Sequence, residues 1–305
     1  MAHYLVTGGA GFIGSHLCEA LLAANHTVNV LDNLSSGRLE NLPTGARLMI
    51  GDIQDRALVN DLLSEVDGCF HLAAIASVPL CNEDWLAAHQ VNLTGTLQII
   101  EAARANTVPV VFASSAAVYG DSQELPLRET AHISPISIYG LNKLACEDYA
   151  RIASQLFQLP CTALRLFNVY GPRQSPNSSY SGVITVFLNQ LLADRSLTIY
   201  GKGDQTRDFI YVADIVRFFI TAMQTSRPGL RVYNACSGHS TSIQAIADCL
   251  AQILQKHPEL IYQPPKLGDI YHSLGNPELA KRELGIVAET SWEEGLKQLV
   301  ASQTS

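Results

Sequence analysis

The opening residues of this chain, MAHYLVTGGAGFIG, leave it few folds to choose from. His3 to Val6 is a short apolar, β-branched run that reads as a strand. Gly8, Gly11 and Gly14 follow, and Ser15 to Ala24 then repeats apolar residues at helical spacing. Strand, glycine turn and helix in this order make a dinucleotide cradle. The first glycine permits the tight turn and the second lets backbone approach a pyrophosphate. The third lets the helix pack close to the strand, with its N-terminal N–H groups aimed at the phosphates. The next apolar run, Thr27 to Leu31, ends in Asp32, about where such a cradle carries the acid that accepts hydrogen bonds from the adenine ribose. A carboxylate there repels a 2′-phosphate, so NAD is favoured over NADP.

The same alternation continues along the chain. Strands are expected at 3–8, 27–32, 47–51, 69–73, 108–114 and 161–166, with helices between them at 13–25, 55–65, 84–106 and 139–157. This pattern predicts an α/β fold: a Rossmann-type, doubly wound parallel sheet covered on both faces. After residue 170 the rhythm breaks. GPRQSPNSSYSG (171–182) is rich in turn formers and reads as a long loop, followed by a helix at 183–194 and a strand at 197–200. Residues 208–223 and Val232 to Ala235 resemble sheet-domain material again, and 240–256 and 291–302 read as helices. The expected organisation is a dinucleotide-binding domain over 1–170 with returns at about 208–238, and a smaller substrate-binding lobe over 171–207 and 239–305. No internal repeat or low-complexity tract interrupts it.

Composition narrows the partners. Hydrophobic residues make up 47% and charged residues 16%, which supplies a sizeable core and argues against disorder. A net charge of −8 argues against nucleic acid or an anionic membrane as the main partner, although local cations can still bind a nucleotide sugar. The seven cysteines, at 18, 69, 81, 146, 161, 236 and 249, form no CxxC pair, and several fall in apolar stretches. They read as reduced, partly buried thiols, and no metal is expected. No signal peptide is recognisable and no stretch of about 20 apolar residues could span a membrane. A cytoplasmic location is therefore expected, where the sequons at Asn33, Asn92 and Asn177 carry no meaning.

Chemistry concentrates past the fifth strand. ASSAAVYG places Ser114 and Ser115 at the strand end, and YGLNK places Tyr139 and Lys143 four apart, so phenol and ammonium share a helix face. A free phenol, with a pKa near 10, is a poor base at neutral pH. The adjacent ammonium and a positive nicotinamide ring would favour phenolate. Tyr139 could then take a hydroxyl proton while hydride leaves the same carbon, with Ser115 hydrogen-bonded to that oxygen and Lys143 on the nicotinamide ribose. Alone, such a pair is a common ornament of helix surfaces. Behind a dinucleotide cradle and a Ser-Ser strand end it points to catalysis.

TGGAGFIG, DNLSSG (32–37), GDI (51–53), HLAA (71–74), VNLTGT (91–96), SSAAVYG (114–120), YGLNK and RLFNVYGP (165–172) together resemble the extended short-chain dehydrogenase/reductase family, and within it the nucleotide-sugar epimerases of the UDP-glucose 4-epimerase type. The resemblance covers nearly the whole chain and is most specific in its first 172 residues. It implies that NAD is lined by Gly8, Gly11, Phe12, Ile13, Gly14, Asp32, Asn33, Leu34, Ser35, Ser36 and Gly37. It adds Asp52 (at adenine), Ile53, Leu72, Ala73, Ala74, Ala76, Asn92, Ser114, Tyr139, Lys143 and Phe167 (near nicotinamide). On the substrate side it implies Ser115, Asn168, Val183, Thr198, Tyr200, Arg207, Lys266, Asp269 and Ser273, with Phe187 nearby. Asn168 and Arg207 would meet phosphate, Thr198 to Tyr200 uracil, and Asp269 ribose. Arg207 has a plainer reading as a surface charge paired with Asp208.

Departures from the family pattern sort the reactions. Sugar dehydratases carry an acidic pair after the strand-end serine or threonine, and the related decarboxylases usually carry a glutamate at the second position. Here those places hold Ala116 and Ala117, which have no proton to give. What remains is hydride removal and return: Tyr139 deprotonates the C4 hydroxyl, the 4-keto sugar turns over, and hydride returns to its other face. A nucleotide-sugar reductase or dehydrogenase would use the same residues. A non-catalytic NAD-sensing protein would need no Ser115, Tyr139 and Lys143 together. Lys266 stands where arginine is common, keeping the charge without the bidentate fork. Ser273 falls where a tyrosine in some relatives crowds the sugar, which leaves room for an N-acetyl group. The implied partners are a UDP-sugar and a second copy of the chain, paired through Trp85, Leu86, Leu93, Leu97 and Ile100 on one helix and Leu144, Tyr149 and Ile152 on the other.

Overall fold

Leu5 and Val6 are both fully buried yet point to opposite faces, so β1 (His3–Thr7) has to lie inside a sheet covered on both sides. The computed structural model describes residues 1–175, 182–265 and 270–304, and shows that sheet. After β1 come α1 (Phe12–Ala23), β2 (Thr27–Asp32), β3 (Arg47–Ile50), α2 (Arg56–Leu63) and β4 (Gly68–His71). Then follow α3 (Val78–Glu83), α4 (Trp85–Ala88), a π-helical segment (His89–Gly95) and α5 (Thr96–Asn106). β5 (Val110–Ser115), α6 (Ile138–Phe157), β6 (Pro160–Leu166) and β7 (Asn168–Tyr170) lead into α7 (Val183–Leu192), β8 (Leu197–Tyr200), β9 (Thr206–Arg207) and β10 (Phe209–Tyr211). The chain ends through α8 (Val212–Gln224), β11 (Gly229–Ala235), β12 (Thr241–Ser242), α9 (Ile243–Ile253), β13 (Leu260–Gln263), α10 (Glu278–Leu284) and α11 (Trp292–Thr304).

Among the described residues seven strands form one parallel sheet in the order β11-β6-β5-β4-β1-β2-β3. The chain walks from β1 out to β3 and then crosses back to β4 on the other side of β1. That reversal opens a crevice beyond the C-terminal ends of β1 and β4, where ligands of such sheets bind. Alternation along the strands fills the two faces. Leu5, Val110, Phe112 and Ala163 pack with α2, α5 and α6, whereas Val6, Phe70, Val111 and Leu164 pack with α1, α8 and Ala280 of α10. A third core joins α7, α9 and α11 to β8, β10 and Tyr170. β10 pairs with β7, so a strand from beyond residue 208 lies next to the end of β6 rather than within the large sheet.

The expected helix over 84–106 starts as a separate short turn, because the Asp84 carboxylate caps α4 by accepting from Ala87 N–H, and then widens into the π segment. Of the expected pairing face, Trp85, Leu86, Tyr149 and Ile152 stand exposed. Leu93 and Ile100 are buried against the sheet, and Leu97 and Leu144 pack partly into the cores. Of the expected loop over 171–182, residues 176–181, with the Asn177 sequon, lie outside the described residues, as do Lys266 and Asp269. No helix among the described residues is long and apolar enough to cross a membrane.

Candidate active site

The crevice is built from strand ends inward. At the end of β1, Gly11 N–H donates to the Gly8 carbonyl at 3.1 Å and α1 begins at Phe12 with no side chain capping it. The N–H groups of its first turn are therefore left to an anion. Gly14 decides how closely helix and turn approach: a Cβ there would stand 2.2 Å from the Gly8 carbonyl oxygen and 2.8 Å from Gly9 Cα. At the end of β2, Asp32 is buried and its carboxylate accepts from Ala10 N–H at 3.0 Å and Leu34 N–H at 2.8 Å. These bonds fold the 33–37 loop beside the glycine turn. Asn33 Nδ2 donates across to Asp52 at 3.0 Å. Although partial burial raises the Asp52 carboxyl, hydrogen bonds from Gln54 and Asn33 outweigh it and hold the group below its ordinary range. An open helix start, a turn that tolerates no side chain and an oriented ribose-side carboxylate fit a dinucleotide.

Two residues expected to line NAD have side chains bonded within the protein. Asn92, inside the π segment, accepts from Ile75 N–H at 2.7 Å and donates to Ile75 O at 3.1 Å, so its amide shapes the 72–77 loop. Ser114 is buried, and its hydroxyl donates to Glu147 at 2.5 Å. Ile53 is buried too, where a Cβ on Gly95 would meet its Cδ1 at 2.4 Å.

The helix carrying the phenol and ammonium is placed by its first turn. Ser137 caps α6 through Gly140 N–H at 3.1 Å. A Cβ at Gly140 would stand 2.6 Å from the Ala117 carbonyl oxygen, so glycine allows α6 to lie against the 3-10 turn Ala116–Tyr119 that follows Ser115. The Ser115 hydroxyl accepts from Ala117 N–H at 3.1 Å and acts on the Tyr139 phenol, whose pKa it lowers. Lys143 Nζ lies 5.8 Å from the centroid of the Tyr139 ring. The three expected catalytic side chains therefore meet at one place.

In the chain by itself the ammonium does not make phenolate. Burial pushes the Tyr139 phenol up to about 12, against the Ser115 hydroxyl that lowers it, and the same burial lowers Lys143. Desolvation is the larger effect on the phenol here, and of the two charges expected to favour phenolate the ammonium by itself does not overcome it.

On the substrate side, Asn168 is exposed on β7 and Arg207 lies on β9, next to β10, the strand paired with β7. Arg207 donates to the Thr206 carbonyl at 2.9 Å and the Tyr271 carbonyl at 3.3 Å. Asp208 does not pair with it. That carboxylate is fully buried and accepts from Ser237 N–H and Oγ–H, Gly238 N–H and Gly275 N–H at 2.7–3.1 Å. Thr198 is half-buried and Tyr200 exposed on β8; Val183 opens α7, and Phe187 points into the third core. Ser273 is buried, its N–H donating to the Thr206 carbonyl at 3.1 Å, so β9 and the 273 segment are adjacent. Phe167 packs with Tyr119, Leu127 and Cys236 beneath the site.

Residues that the sequence reading passed over also shape this centre. Arg165, a cation inside the apolar strand CTALRLF, needed a buried partner and finds it in Glu147. His71, at the end of β4, is buried between Thr7 Oγ1 (2.7 Å from Nδ1) and Thr96 Oγ1 (2.9 Å from Nε2). Thr96 gives its own proton to the Asn92 carbonyl, so Nε2 must carry the ring proton and Nδ1 must accept. Burial, assisted by the Lys143 charge, lowers His71 to about 3. The unfolded chain takes up this proton first, near pH 6.5, so stability is expected to fall between pH 6.5 and 3, by about 2 kcal/mol at pH 5. Denaturant melts at pH 7 and 5 read this directly. His71→Gln should start lower at pH 7 but decline less steeply, and equal slopes would contradict the assignment.

Residues 4–236 match the family described as the NAD dependent epimerase/dehydratase family. Over 305 aligned residues the chain is 38% identical to a UDP-glucose 4-epimerase of Mycolicibacterium smegmatis, covering 97% of this chain and 96% of that one. It is 32% identical to a UDP-N-acetyl-alpha-D-glucosaminuronate decarboxylase of Bacillus cytotoxicus, with 97% and 96% covered. A UDP-N-acetylglucosamine 4-epimerase from Methanobrevibacter ruminantium, solved in complex with UDP-N-acetylmuramic acid, superposes with a TM-score of 0.95 at 36% identity over 99% of this chain and 98% of that one.

Proposed function

The chain belongs to the NAD dependent epimerase/dehydratase family, in its UDP-glucose 4-epimerase branch, and from that premise we propose that it inverts C4 of a UDP-hexose. One observation carries the reading. The Tyr139 phenol, acted on by the Ser115 hydroxyl and overlain by the Lys143 ammonium, is joined by no second acid or base at the strand end, because the next positions are Ala116 and Ala117. The cofactor is NAD, which when bound supplies the hydride acceptor and donor that takes the C4 carbinol to a ketone and back. Gly8, Gly11 to Gly14 and Asp32 to Gly37 would hold it, with Asp52 at its adenine end.

The chain's own side chains handle the proton and the orientation. Tyr139 accepts the C4 hydroxyl proton at Oη and returns it, Ser115 hydrogen-bonds the same sugar oxygen, and Lys143 keeps positive charge beside the phenol. Asn168, whose N–H donates to the Asp208 carbonyl, and Arg207, which precedes Asp208, would take the diphosphate, and Thr198 to Tyr200 the base. The 32% likeness to a decarboxylase shares the scaffold, but the Ala117 side chain has no proton to give.

The test is purified protein with UDP-galactose, UDP-N-acetylgalactosamine and their 4-epimers, without added cofactor, products resolved by proton NMR. Interconversion is expected, since a cofactor regenerated in each cycle need not leave. No interconversion, even with NAD supplied, would overturn the reading in favour of a reductase or another nucleotide. The buried, small Ser273 and the likeness to a UDP-N-acetylglucosamine 4-epimerase support turnover of the acetamido pair within about tenfold of the hexose pair, and rejection of that pair would remove the Ser273 argument. A second copy of the chain is the partner expected on the exposed Trp85, Leu86, Tyr149 and Ile152. Sedimentation equilibrium should give twice the 33.1 kDa chain mass, and a monomer would refute it.

A further inference from the structure

Tyr139, Lys143 and Glu147 stand four apart on α6, and Lys143 and Glu147 are both buried. At that spacing a lysine and a glutamate ordinarily pair along a helix. Here they do not. Arg165 of β6 grips the Glu147 carboxylate with both arms, Nε to Oε1 at 3.0 Å and the terminal nitrogen to Oε2 at 2.7 Å, and Ser114 of β5 donates to Oε1 as well. The guanidinium is itself fixed from behind, donating to Tyr119 Oη at 3.0 Å and the Glu129 carbonyl at 3.1 Å, while Tyr119 donates to Asn234. Lys143 Nζ has neither hydrogen bond nor ion pair among the described residues, and its ring contact is Tyr139.

We propose that Arg165 is a positioning residue that withholds Glu147 from Lys143, so that the ammonium stays over the Tyr139 phenol, and that the Glu147–Arg165–Ser114 cluster sets the height of α6 against the strand ends. The proposal rests on the epimerase reading for its kinetic arm only. Freed of Arg165, the carboxylate is one helical turn from the ammonium, in a place where an unpaired buried charge is costly, and it captures Lys143. The phenol then loses its neighbouring cation and becomes a weaker base-former at neutral pH.

The experiment compares Arg165→Met with the double variant Arg165→Met/Glu147→Gln, in which the amide cannot trap the ammonium. Arg165→Met is expected to lower kcat about 100-fold with KM within about threefold. Its acid limb should move up by about one pH unit, and less NAD should remain per chain after gel filtration. The double variant should move the limb back, recover about tenfold or more in kcat and regain NAD. Loss of kcat by the same factor at every pH, or a double variant no better than the single, would overturn the proposal by showing a merely structural pair. If Arg165→Met does not accumulate folded, Arg165→Lys, which loses the fork, reads the same shift and the same rescue at smaller amplitude, and no rescue overturns it. If the wild type turns over no UDP-sugar, the epimerase reading fails on its own. Retained NAD then decides: loss in the single variant and return in the double supports the proposal, and equal retention overturns it.

Discussion

Tyr139→Phe is expected to lower turnover about 1,000-fold or more while the protein still purifies with NAD bound. The substitution removes one oxygen and keeps the ring under Lys143, so α6 and the Ser137 cap stay in place. The pH dependence gives a second reading with a fixed sign. The phenol works as a base only when deprotonated, and burial holds it up at about 12 in the chain alone. The wild-type kcat should therefore rise with pH until cofactor and ammonium have brought the phenol into range, and this rise should be missing from the residual activity of the variant. Residual activity with an unchanged acid limb would mean that another group is the base. Unchanged turnover would remove Tyr139 from the chemistry.

The second large effect is expected at Gly14. A methyl group there would lie 2.2 Å from the Gly8 carbonyl oxygen and 2.8 Å from Gly9 Cα, backbone atoms that cannot rotate away. Gly14→Ala should destabilise the chain by about 3 kcal/mol or more, because α1 must lift off β1, and NAD should not be retained. Gly11 offers the contrast: a Cβ there meets only the Gly8 carbonyl oxygen, at 3.1 Å. Gly11→Ala should fold with a Tm close to wild type and still lose most of its NAD, because the added methyl occupies the approach of the phosphates. Thermal melts with and without NAD, together with cofactor content, separate the two. Equal behaviour of the variants would refute the division of labour within the glycine turn.

What could be read from the sequence follows from periodicity. The strands over 3–7, 27–32, 110–115 and 160–166 are near-continuous apolar runs bounded by turns, and they fall within about two residues of expectation. The pairs β7–β10 and β9–β12 are only two or three residues long, too short for any period to declare itself. The π segment has no compositional mark, although Asn92 within it and Thr96 after it bond to Ile75 and His71. The convergence of Ser115, Tyr139 and Lys143 could be expected from sequence because the proposed chemistry fixes their types and spacing. The side chains of Asn92 and Ser114, expected as cofactor contacts, also bond to Ile75 and Glu147, partners that depend on rotamers and leave no mark in the sequence. Arg165 did leave a signal, a charge in an apolar strand. Only the fold could say that its partner sits 18 residues earlier on a helix.

The crossing of the chain between sheet and lobe bears on how such a protein can be recombined. Tyr170, residues 184–199, 209–212, 243–250 and 296–300 build one core, yet β11 leaves that series to close the edge of the parallel sheet, and Asp208 ties β9 and β10 to residues 237, 238 and 275. The pocket wall is therefore not a cassette. A single-crossover chimera that replaces everything after residue 170 also exchanges the edge strand and α8, whereas one that replaces only 171–207 leaves the new segment facing three foreign ones. Moving the sugar preference of a relative onto this scaffold needs at least the 183–211 and 237–276 stretches together, and libraries built by shuffling at single breakpoints will sample misfits far more often than new specificities.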